Sequence, residues 1–245
     1  MKQLKEVAVD LLFPPYCVGC GVRGNFICAS CQAALPRLKL PLCTKCGKSI
    51  SSGILCSDCA SRSLEIDGIR SVFRFEGTVR QSILQFKYKN VKAMATPLAK
   101  LMGKYLRAHP LPADALVPVP LHSRRLRERG YNQSSLLAGE LSKLTSLPVA
   151  EKSLVRLKNT PPQTRTKSAE ERQRNIARAF VCQDRRLRGK RILLIDDVCT
   201  SGATLNACAV ALKTAGAASV WGLTVAREVW WVAEMVACRG SHIAC

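Results

Sequence analysis

The sequence predicts an α/β protein in which a doubly wound parallel sheet follows a small cysteine-rich module. Two observations carry this prediction. Eight of the 13 cysteines fall between positions 17 and 59, and residues 191–216 have the pattern of a buried strand, a short polar loop and an apolar helix. The length of 245 residues suits one substantial domain with a small one beside it, and 47% hydrophobic residues are enough for a packed core.

Residues 1–15 are predicted to form a short leading helix. Lys5, Glu6 and Asp10 interrupt its apolar stretch, and no window of the chain approaches the roughly 18–20 consecutive apolar residues that cross a bilayer. The sequence therefore predicts no transmembrane segment and no signal peptide, and it favours a cytoplasmic location.

The cysteines between positions 17 and 59 form four C-x-x-C pairs. In a reducing cytosol such pairs favour Zn²⁺ over disulfides, because four thiolates satisfy a tetrahedral ion, and two structural zinc ions are the natural count. The first and third pairs repeat at an offset of 26 residues, and the glycine after each, Gly21 or Gly47, can adopt a positive φ that turns backbone N–H groups toward the sulfurs. The pairs are Cys17/Cys20, Cys28/Cys31, Cys43/Cys46 and Cys56/Cys59.

We assign the zinc ligands in chain order, so that the first two pairs hold one ion and the last two pairs hold the other. A cross-braced arrangement, in which the first and third pairs share an ion, stays open. The role of the zinc stays open as well. The ions can replace a core that ~60 residues are too few to form, or they can support the docking of nucleic acid or of a partner protein.

After a transition at residues 64–68, the predicted α/β domain contains two basic segments. In the first, Pro118 and Pro120 fix the turn after a short apolar run, and four arginines lie within residues 124–129, where they can donate paired hydrogen bonds to a polyanion. The second segment, residues 156–178, has the pattern of a basic loop followed by a helix that begins near Ala169 behind a capping box. A solvated basic face is the alternative interpretation of this second segment.

The most informative stretch begins with four consecutive apolar residues, 192–195, which are typical of a buried strand. Asp196 and Asp197 close this strand, and a short polar loop leads to a helix predicted over residues 205–215 and ended by Gly216. The free N–H groups and the positive dipole of a helix N-terminus, together with the loop hydroxyls, can converge on one phosphate group. The sequence therefore predicts an anion site in this loop.

The adjacent carboxylates of Asp196 and Asp197 can accept hydrogen bonds from the vicinal hydroxyls of a ribose. They lie beyond the carboxyl end of a strand, where open α/β sheets bind ligands. The spacing fits a sugar whose 5′-phosphate lies in the loop and whose 2′- and 3′-hydroxyls lie on the two aspartates. The alternative interpretation is structural: the aspartates form a turn and the loop caps a helix.

The string IDDVCTSGAT, residues 195–204, resembles the motif with which type I phosphoribosyltransferases bind phosphoribosyl pyrophosphate (PRPP). Neither G-x-G-x-x-G nor G-x-x-x-x-G-K-[ST] occurs, which argues against a Rossmann dinucleotide site and a P-loop. The resemblance makes the expected fold a type I phosphoribosyltransferase-like doubly wound parallel sheet. The loop positions that it assigns to PRPP binding are Thr200, Ser201, Gly202, Ala203 and Thr204.

Two further patterns narrow the resemblance to the ComF family of competence and DNA-utilisation proteins, also called GntX-like. Residues 118–133 are similar to the family pattern PVPL..RR...RG.NQ, where a pyrophosphate-binding loop is expected. Together with an N-terminal double zinc ribbon, the resemblance covers roughly residues 14–227. The third pattern is matched by Arg156, Thr160, Gln163, Glu171, Arg172, Asn175, Ala179 and Phe180.

The resemblance implies Mg²⁺-dependent transfer or hydrolysis at C1′ of PRPP. In this scheme Asp196 and Asp197 orient the ribose, while Arg124 and Arg125 with Mg²⁺ neutralise the departing pyrophosphate and residues 159–167 close over the site. No residue identifies itself as the base that would activate an acceptor. The alternative function is therefore a non-catalytic DNA-binding or PRPP-sensing factor.

The charge of the chain points to a polyanionic partner. The formal net charge is +21, and residues 121–191 carry 18 Lys and Arg against 6 Asp and Glu. One PRPP molecule does not require so much charge, whereas a nucleic-acid backbone benefits from every exposed cation. We therefore predict binding of single-stranded DNA, with Phe86 and Tyr88 of QFKYKN as the best candidates for base stacking. The resemblance adds proteins of the DNA-uptake machinery as possible partners.

The sequence thus divides into three predicted segments. Residues 1–63 hold the leading helix and the double zinc ribbon, and residues 64–227 form the phosphoribosyltransferase-like domain. Residues 228–245 depart from the family pattern. This tail can pack on the core, mediate self-association or extend from the surface, and the sequence does not decide among these roles.

Overall fold

The computed structural model describes residues 14–157 and 179–229. The leading helix, the helix expected to begin near Ala169 and the tail from residue 230 onward lie outside the described residues. Across the described ranges, none of the helices combines the length and the apolar character that crossing a membrane requires.

The cysteine-rich module consists of two similar ribbons, each built around a tight turn and a short helix. Gly21 donates its N–H to the carbonyl oxygen of Cys17 at 2.8 Å, and Gly47 makes the equivalent bond to Cys43 at 2.9 Å. Both glycines have positive φ, 77° and 73°, as the repeated pattern predicts, because a side chain would strain this backbone conformation. The short helices are α1 (Ala29–Ala33) and α2 (Ser57–Ala60).

The main sheet has four parallel strands in the order β1-β6-β5-β2, and a separate antiparallel pair joins β3 to β4. Parallel strands require crossover connections, which here are helical. The strands are β1 (Gly68–Arg74), β2 (Ala115–Pro118), β3 (Leu154–Arg156), β4 (Phe180–Cys182), β5 (Arg191–Cys199) and β6 (Ser219–Arg227). The remaining helices are α3 (Gly77–Tyr88), α4 (Ala95–Ala108), α5 (Ser123–Arg129), α6 (Gln133–Thr145) and α7 (Ala203–Thr214), with short 3₁₀ turns at Lys92–Met94 and Arg185–Leu187.

The two faces of the main sheet bury two separate core clusters. Leu193 and Ile195 of β5 are buried in one cluster with residues of α3, α4 and α6, whereas Ile192 and Leu194 are buried in the other with residues of α7 and the β3–β4 pair. Alternate residues of a strand point to opposite faces, so a strand covered on both sides needs a continuous apolar run. Helices on both faces of a parallel sheet confirm the predicted doubly wound α/β fold.

The two ribbons pack directly against the β1 side of the sheet. Ile27 of the first ribbon is buried in the same core cluster as helices α3 and α4. In the second ribbon, the carbonyl oxygen of Lys45 accepts a hydrogen bond from the N–H of Ile69 at 2.8 Å. The cysteine-rich module is therefore continuous with the α/β domain through both apolar packing and backbone hydrogen bonds.

The basic segment after β2 forms a helix, α5, where the family pattern implies a pyrophosphate-binding loop. His122 caps its N-terminus, since its Nδ1 accepts from the N–H of Arg124 at 3.2 Å. Gly130 ends it in the left-handed conformation, with a φ of 73°. The four arginines of this segment therefore lie on a helix rather than in a loop.

Candidate functional site

The structure brings the eight predicted zinc ligands together as two groups of four in chain order. Within each group, the sulfur atoms all lie within 4.8 Å of one another, a spacing that suits four thiolates around one tetrahedral zinc ion. The cross-braced alternative would require sulfurs from the first and third pairs in one group, and the geometry does not place them so. The groups are Cys17, Cys20, Cys28 and Cys31, and Cys43, Cys46, Cys56 and Cys59.

The backbone around each group favours a thiolate on its first cysteine. Burial opposes ionisation of Cys17, but hydrogen bonds from backbone N–H groups outweigh it and lower the pKa to about 6. Cys43 follows the same balance, and its pKa is also lowered to about 6. One of these bonds runs from the N–H of Cys28 to the sulfur of Cys17 at 3.4 Å. Both turns therefore prepare a zinc ligand at neutral pH.

The predicted anion loop lies between the end of β5 and the start of α7. Gly202 is the N-cap of α7 and has a φ of 80°, while Ala203 and Thr204 form the first positions of the helix. Thr200 and Ser201 are exposed, and the hydroxyl of Ser201 accepts from the N–H of Ala203 at 3.4 Å. The strand, loop and helix thus follow the predicted order, and the loop is open to solvent at the helix N-terminus.

The two aspartates before this loop occupy different environments. Asp196 is partly buried, and its Oδ1 accepts from the hydroxyl of Ser134 and from the N–H of Asp197, both at 2.9 Å. Burial and the neighbouring Asp197 charge raise the pKa of Asp196 to about 7. Its carboxyl group therefore changes protonation within the neutral pH range.

Asp197, which was expected beyond the end of the strand, lies within β5 and is nearly buried. Its side chain is 8% exposed, and its Oδ1 lies 2.9 Å from the Nζ of Lys87 at the end of α3. Lys87 is thus a site residue that sequence reasoning missed. It lies in the QFKYKN segment, and a lysine between two aromatic residues gave no sign that it would reach an aspartate 110 positions away.

The two predicted pyrophosphate-binding arginines are directed to different neighbours. Arg124 is exposed and forms an ion pair with Glu128 one turn later, with Nε 2.9 Å from Oε1. Arg125 lines a cavity that Lys87 also lines. Burial and then the charge of Arg125 lower the pKa of Arg156, whose guanidinium also lies over the ring of Phe180. Arg125 therefore faces the cavity that Lys87 lines, whereas Arg124 is turned toward solvent.

The two predicted base-stacking residues also differ. Phe86 is fully buried, and its carbonyl oxygen accepts a hydrogen bond from the hydroxyl of Tyr131. The expectation that Phe86 stacks on a base is therefore wrong, because its position on α3 faces the core. Tyr88, two residues later, is 69% exposed and remains available.

Comparison with known proteins finds two family matches along the chain. Residues 8–60 match the double zinc ribbon domain, and residues 130–228 match the phosphoribosyl transferase domain. Among curated proteins, the chain is 32% identical to competence protein F of Haemophilus influenzae, over 81% of this chain and 96% of that protein. It is 30% identical to competence protein ComFC of Bacillus subtilis, over 82% and 84% of the two chains, and 31% identical to the DNA utilization protein YhgH of Salmonella typhi, over 79% and 87%.

Solved structures give more distant matches. The purine phosphoribosyltransferase of Pyrococcus horikoshii aligns with 55% of this chain and 73% of its own, at 19% identity and a TM-score of 0.34. The glutamine PRPP amidotransferase of B. subtilis aligns with 53% of this chain and 26% of its own, at 20% identity and a TM-score of 0.37.

Proposed function

This chain belongs to the ComF family of competence and DNA-utilisation proteins, and from that premise we propose that it binds PRPP at the carboxyl end of β5 and also binds single-stranded DNA. The observation that carries the PRPP assignment is an acidic doublet near the carboxyl end of β5, followed after Val198 and Cys199 by a loop that opens at the N-terminus of α7. Phosphate is favoured at such a helix end, because free N–H groups and the helix dipole point toward it.

In this proposal the loop from Thr200 to Thr204 holds the 5′-phosphate, and the aspartates accept hydrogen bonds from the ribose hydroxyls. The charge of Asp196 is costly in its present surroundings, as its raised pKa shows. A cation or a set of hydroxyl donors beside it would lower that cost. The carboxylate oxygens therefore suit Mg²⁺ bound together with PRPP, which would supply charge neutralisation for the pyrophosphate.

The ion pair between Lys87 and Asp197 favours the second candidate function, a PRPP sensor without turnover. In this version a ribose hydroxyl takes the place of Lys87 at Oδ1 of the nearly buried Asp197. Such an exchange changes the position of Lys87 on ligand binding, which is what a sensing protein needs.

One experiment separates transfer or hydrolysis from sensing. Purified protein is incubated with PRPP and Mg²⁺, with and without nucleobases and oligonucleotides, and pyrophosphate release is measured beside PRPP binding by calorimetry. Release that disappears in the Asp196→Asn, Asp197→Asn double variant supports an enzyme, and binding without release supports a sensor. Asp114→Asn is the matched control, since Asp114 pairs with Arg191 at the opposite end of β5. A wild-type protein that binds no PRPP contradicts both versions.

The DNA-binding part of the proposal is supported by the 18 Lys and Arg against 6 Asp and Glu in residues 121–191. A protein that contacts 6–10 phosphates loses about 10³–10⁵ in affinity between 50 and 200 mM salt. We expect a steep loss of this kind for a labelled single-stranded oligonucleotide, measured by fluorescence anisotropy. A flat salt response contradicts the proposal.

The ribbons, in turn, are proposed to dock proteins of the DNA-uptake machinery.

A further inference from the structure

A cavity of about 480 Å³ lies between the end of helix α3 and helix α5. Sites for small organic ligands are commonly of this size. Its walls combine a phenol ring, an amide and four charged groups, three of them positive. The lining residues are Lys87, Tyr88, Asn90, Arg125, Glu128 and Arg129.

The aromatic wall of this cavity is a tyrosine that the core does not use. Tyr88 is 69% exposed, and the guanidinium of Arg129 lies 5.2 Å from the centre of its ring. Arg129 is itself held in place, because its Nη1 donates to the Oε1 of buried Gln133 at 3.1 Å. An exposed ring steadied by a cation offers a planar surface on which a nucleobase can stack.

The charged wall favours a phosphate group. Lys87 and Arg125 face the cavity together with Arg129, whereas the negative charge of Glu128 is compensated by Arg124, 2.9 Å away. Because Lys87 is paired with Asp197, the positive potential of this wall comes mainly from Arg125 and Arg129. Arginine suits phosphate because it can donate two hydrogen bonds at once.

We propose that this cavity binds one nucleotide of single-stranded DNA, with its base on Tyr88 and its phosphate against Lys87 and Arg125. The inference rests on the proposed DNA binding and assigns a location to it. A polyanion without bases would contact the cations but not the ring of Tyr88. A free base would contact the ring but not the cations. A nucleotide uses both walls.

Lys87 links this cavity to the acidic doublet. The same ammonium group lines the cavity and lies 2.9 Å from the Oδ1 of Asp197. A phosphate in the cavity competes with Asp197 for Lys87, and as the lysine shifts, Asp197 becomes free to accept hydrogen bonds from ribose hydroxyls. DNA in the cavity and PRPP at β5 therefore tighten each other's binding, and by thermodynamic linkage they do so by the same factor.

The base-stacking wall is tested with a labelled oligothymidylate of about 12 nucleotides. Tyr88→Ala is expected to weaken its binding by about 5- to 100-fold, since stacking on one aromatic ring contributes that much, while Tyr88→Phe keeps most of the affinity. Tyr16→Ala is the matched control, because Tyr16 is 62% exposed on the first ribbon. Equal affinities for Tyr88→Ala and Tyr16→Ala would overturn the proposal.

The phosphate wall is tested with salt dependence and with an abasic deoxyribose-phosphate oligomer. Arg125→Ala is expected to lower the slope of log affinity against log salt by about 1 for both probes. Arg107→Ala is the control, because this exposed arginine lies in the last turn of α4, which leads to the start of β2, whereas α5 and the cavity follow the end of β2. The abasic oligomer should not respond to Tyr88→Ala. A response equal to that of oligothymidylate would contradict stacking.

The link through Lys87 is tested by measuring oligonucleotide affinity with and without saturating PRPP. In the wild-type protein PRPP is expected to tighten oligonucleotide binding by about 5-fold or more, and Lys87→Gln should remove this effect. Unchanged or weakened binding in the wild-type protein contradicts the shared role of Lys87. The outcomes stay distinguishable from the proposed function: no oligonucleotide binding at all defeats DNA binding itself, whereas binding that ignores Tyr88 defeats only this cavity.

Discussion

The four cysteines of the second group are all buried, whereas in the first group only Cys17 is buried and Cys20 is exposed. Both groups use the same C-x-x-C-G turn, with nearly the same φ at the glycine. The difference lies in what surrounds the turns. The first turn meets solvent on one side, and the second is enclosed between its own ribbon and the sheet.

The second group is tied to the predicted anion loop through one buried arginine. Arg227, the last residue of β6, is 4% exposed and donates through Nη1 to the carbonyl oxygen of Cys46 at 2.7 Å and to the sulfur of Cys199 at 3.1 Å. Cys199 immediately precedes the loop. One repeated turn therefore occurs in two settings: the second group forms a buried cluster of its own that Arg227 connects to the loop, whereas the first group is more exposed although its ribbon buries Ile27 in the domain core.

The largest expected difference comes from removing one ligand of each group. Cys43→Ser is expected to lower the free energy of unfolding by more than about 4 kcal/mol, because loss of a buried structural metal is among the costliest single changes. Cys20→Ser, at the exposed position, should cost at least about 2 kcal/mol less. Urea unfolding followed by circular dichroism, with zinc content measured for each variant, checks this. Equal losses would mean that the two sites contribute alike.

Replacing the connecting arginine tests the link without touching a zinc ligand. Arg227→Met is expected to destabilise the protein by about 2–3 kcal/mol, since it leaves the Cys46 carbonyl oxygen without its charged donor. It should also weaken PRPP binding, because Cys199 loses the same partner. Arg227→Lys keeps the charge and is the control for it. Loss of stability without any change in PRPP affinity would show that the contact of Arg227 with Cys199 does not affect the anion loop.

The two turn glycines form a matched pair. Alanine at either position must adopt a left-handed conformation, which costs about 1–2 kcal/mol. At Gly47 the added methyl group would also lie 2.4 Å from the carbonyl oxygen of Ile69, whereas at Gly21 nothing lies within 4 Å. Gly47→Ala should therefore be the more destabilising by about 1–3 kcal/mol, as measured by thermal or urea unfolding. Similar values for both variants would argue against tight packing of the second ribbon.

The smallest loss of stability is expected at the exposed border of the contact between the second ribbon and β1. Arg70 donates from Nη1 to the carbonyl oxygen of Thr44 at 2.9 Å, and its guanidinium lies 5.1 Å from the ring centre of Trp221. Because this bond is solvent-exposed, Arg70→Met should cost about 0.5–1 kcal/mol. Unfolding at low and high salt measures it. A loss of stability as large as that of Arg227→Met would mean that Arg70, rather than Arg227, makes the main connection between the second ribbon and the sheet.

The parts of this protein that follow local patterns could be predicted from its sequence. The two cysteine groups are set by spacing, and β5 with α7 is marked by a continuous apolar run before a glycine-containing loop. Helix α5 was not predicted from the sequence. None of its residues is buried, so its sequence shows no apolar periodicity. Gly130, directly after the last arginine of the run, was the one available sign that a helix ends there.

The contacts that define the site could not be predicted from local patterns. Lys87 meets Asp197 and Arg227 meets Cys46 only because the sheet order places distant segments side by side. Phe86 and Tyr88 show the same limit at short range: both are aromatic and two residues apart, yet the rotation of α3 buries one and exposes the other.

The position of β1 at the end of the strand order has a consequence for solubility. Its outer N–H groups at Ile69 and Arg74 donate to the carbonyl oxygens of Lys45 and Pro36, so the cysteine-rich module covers this edge. An uncovered edge strand is a template for pairing with another chain. Protein that loses its zinc is therefore expected to fail by aggregation through intermolecular strand pairing, and the ribbons guard the sheet as well as supporting it.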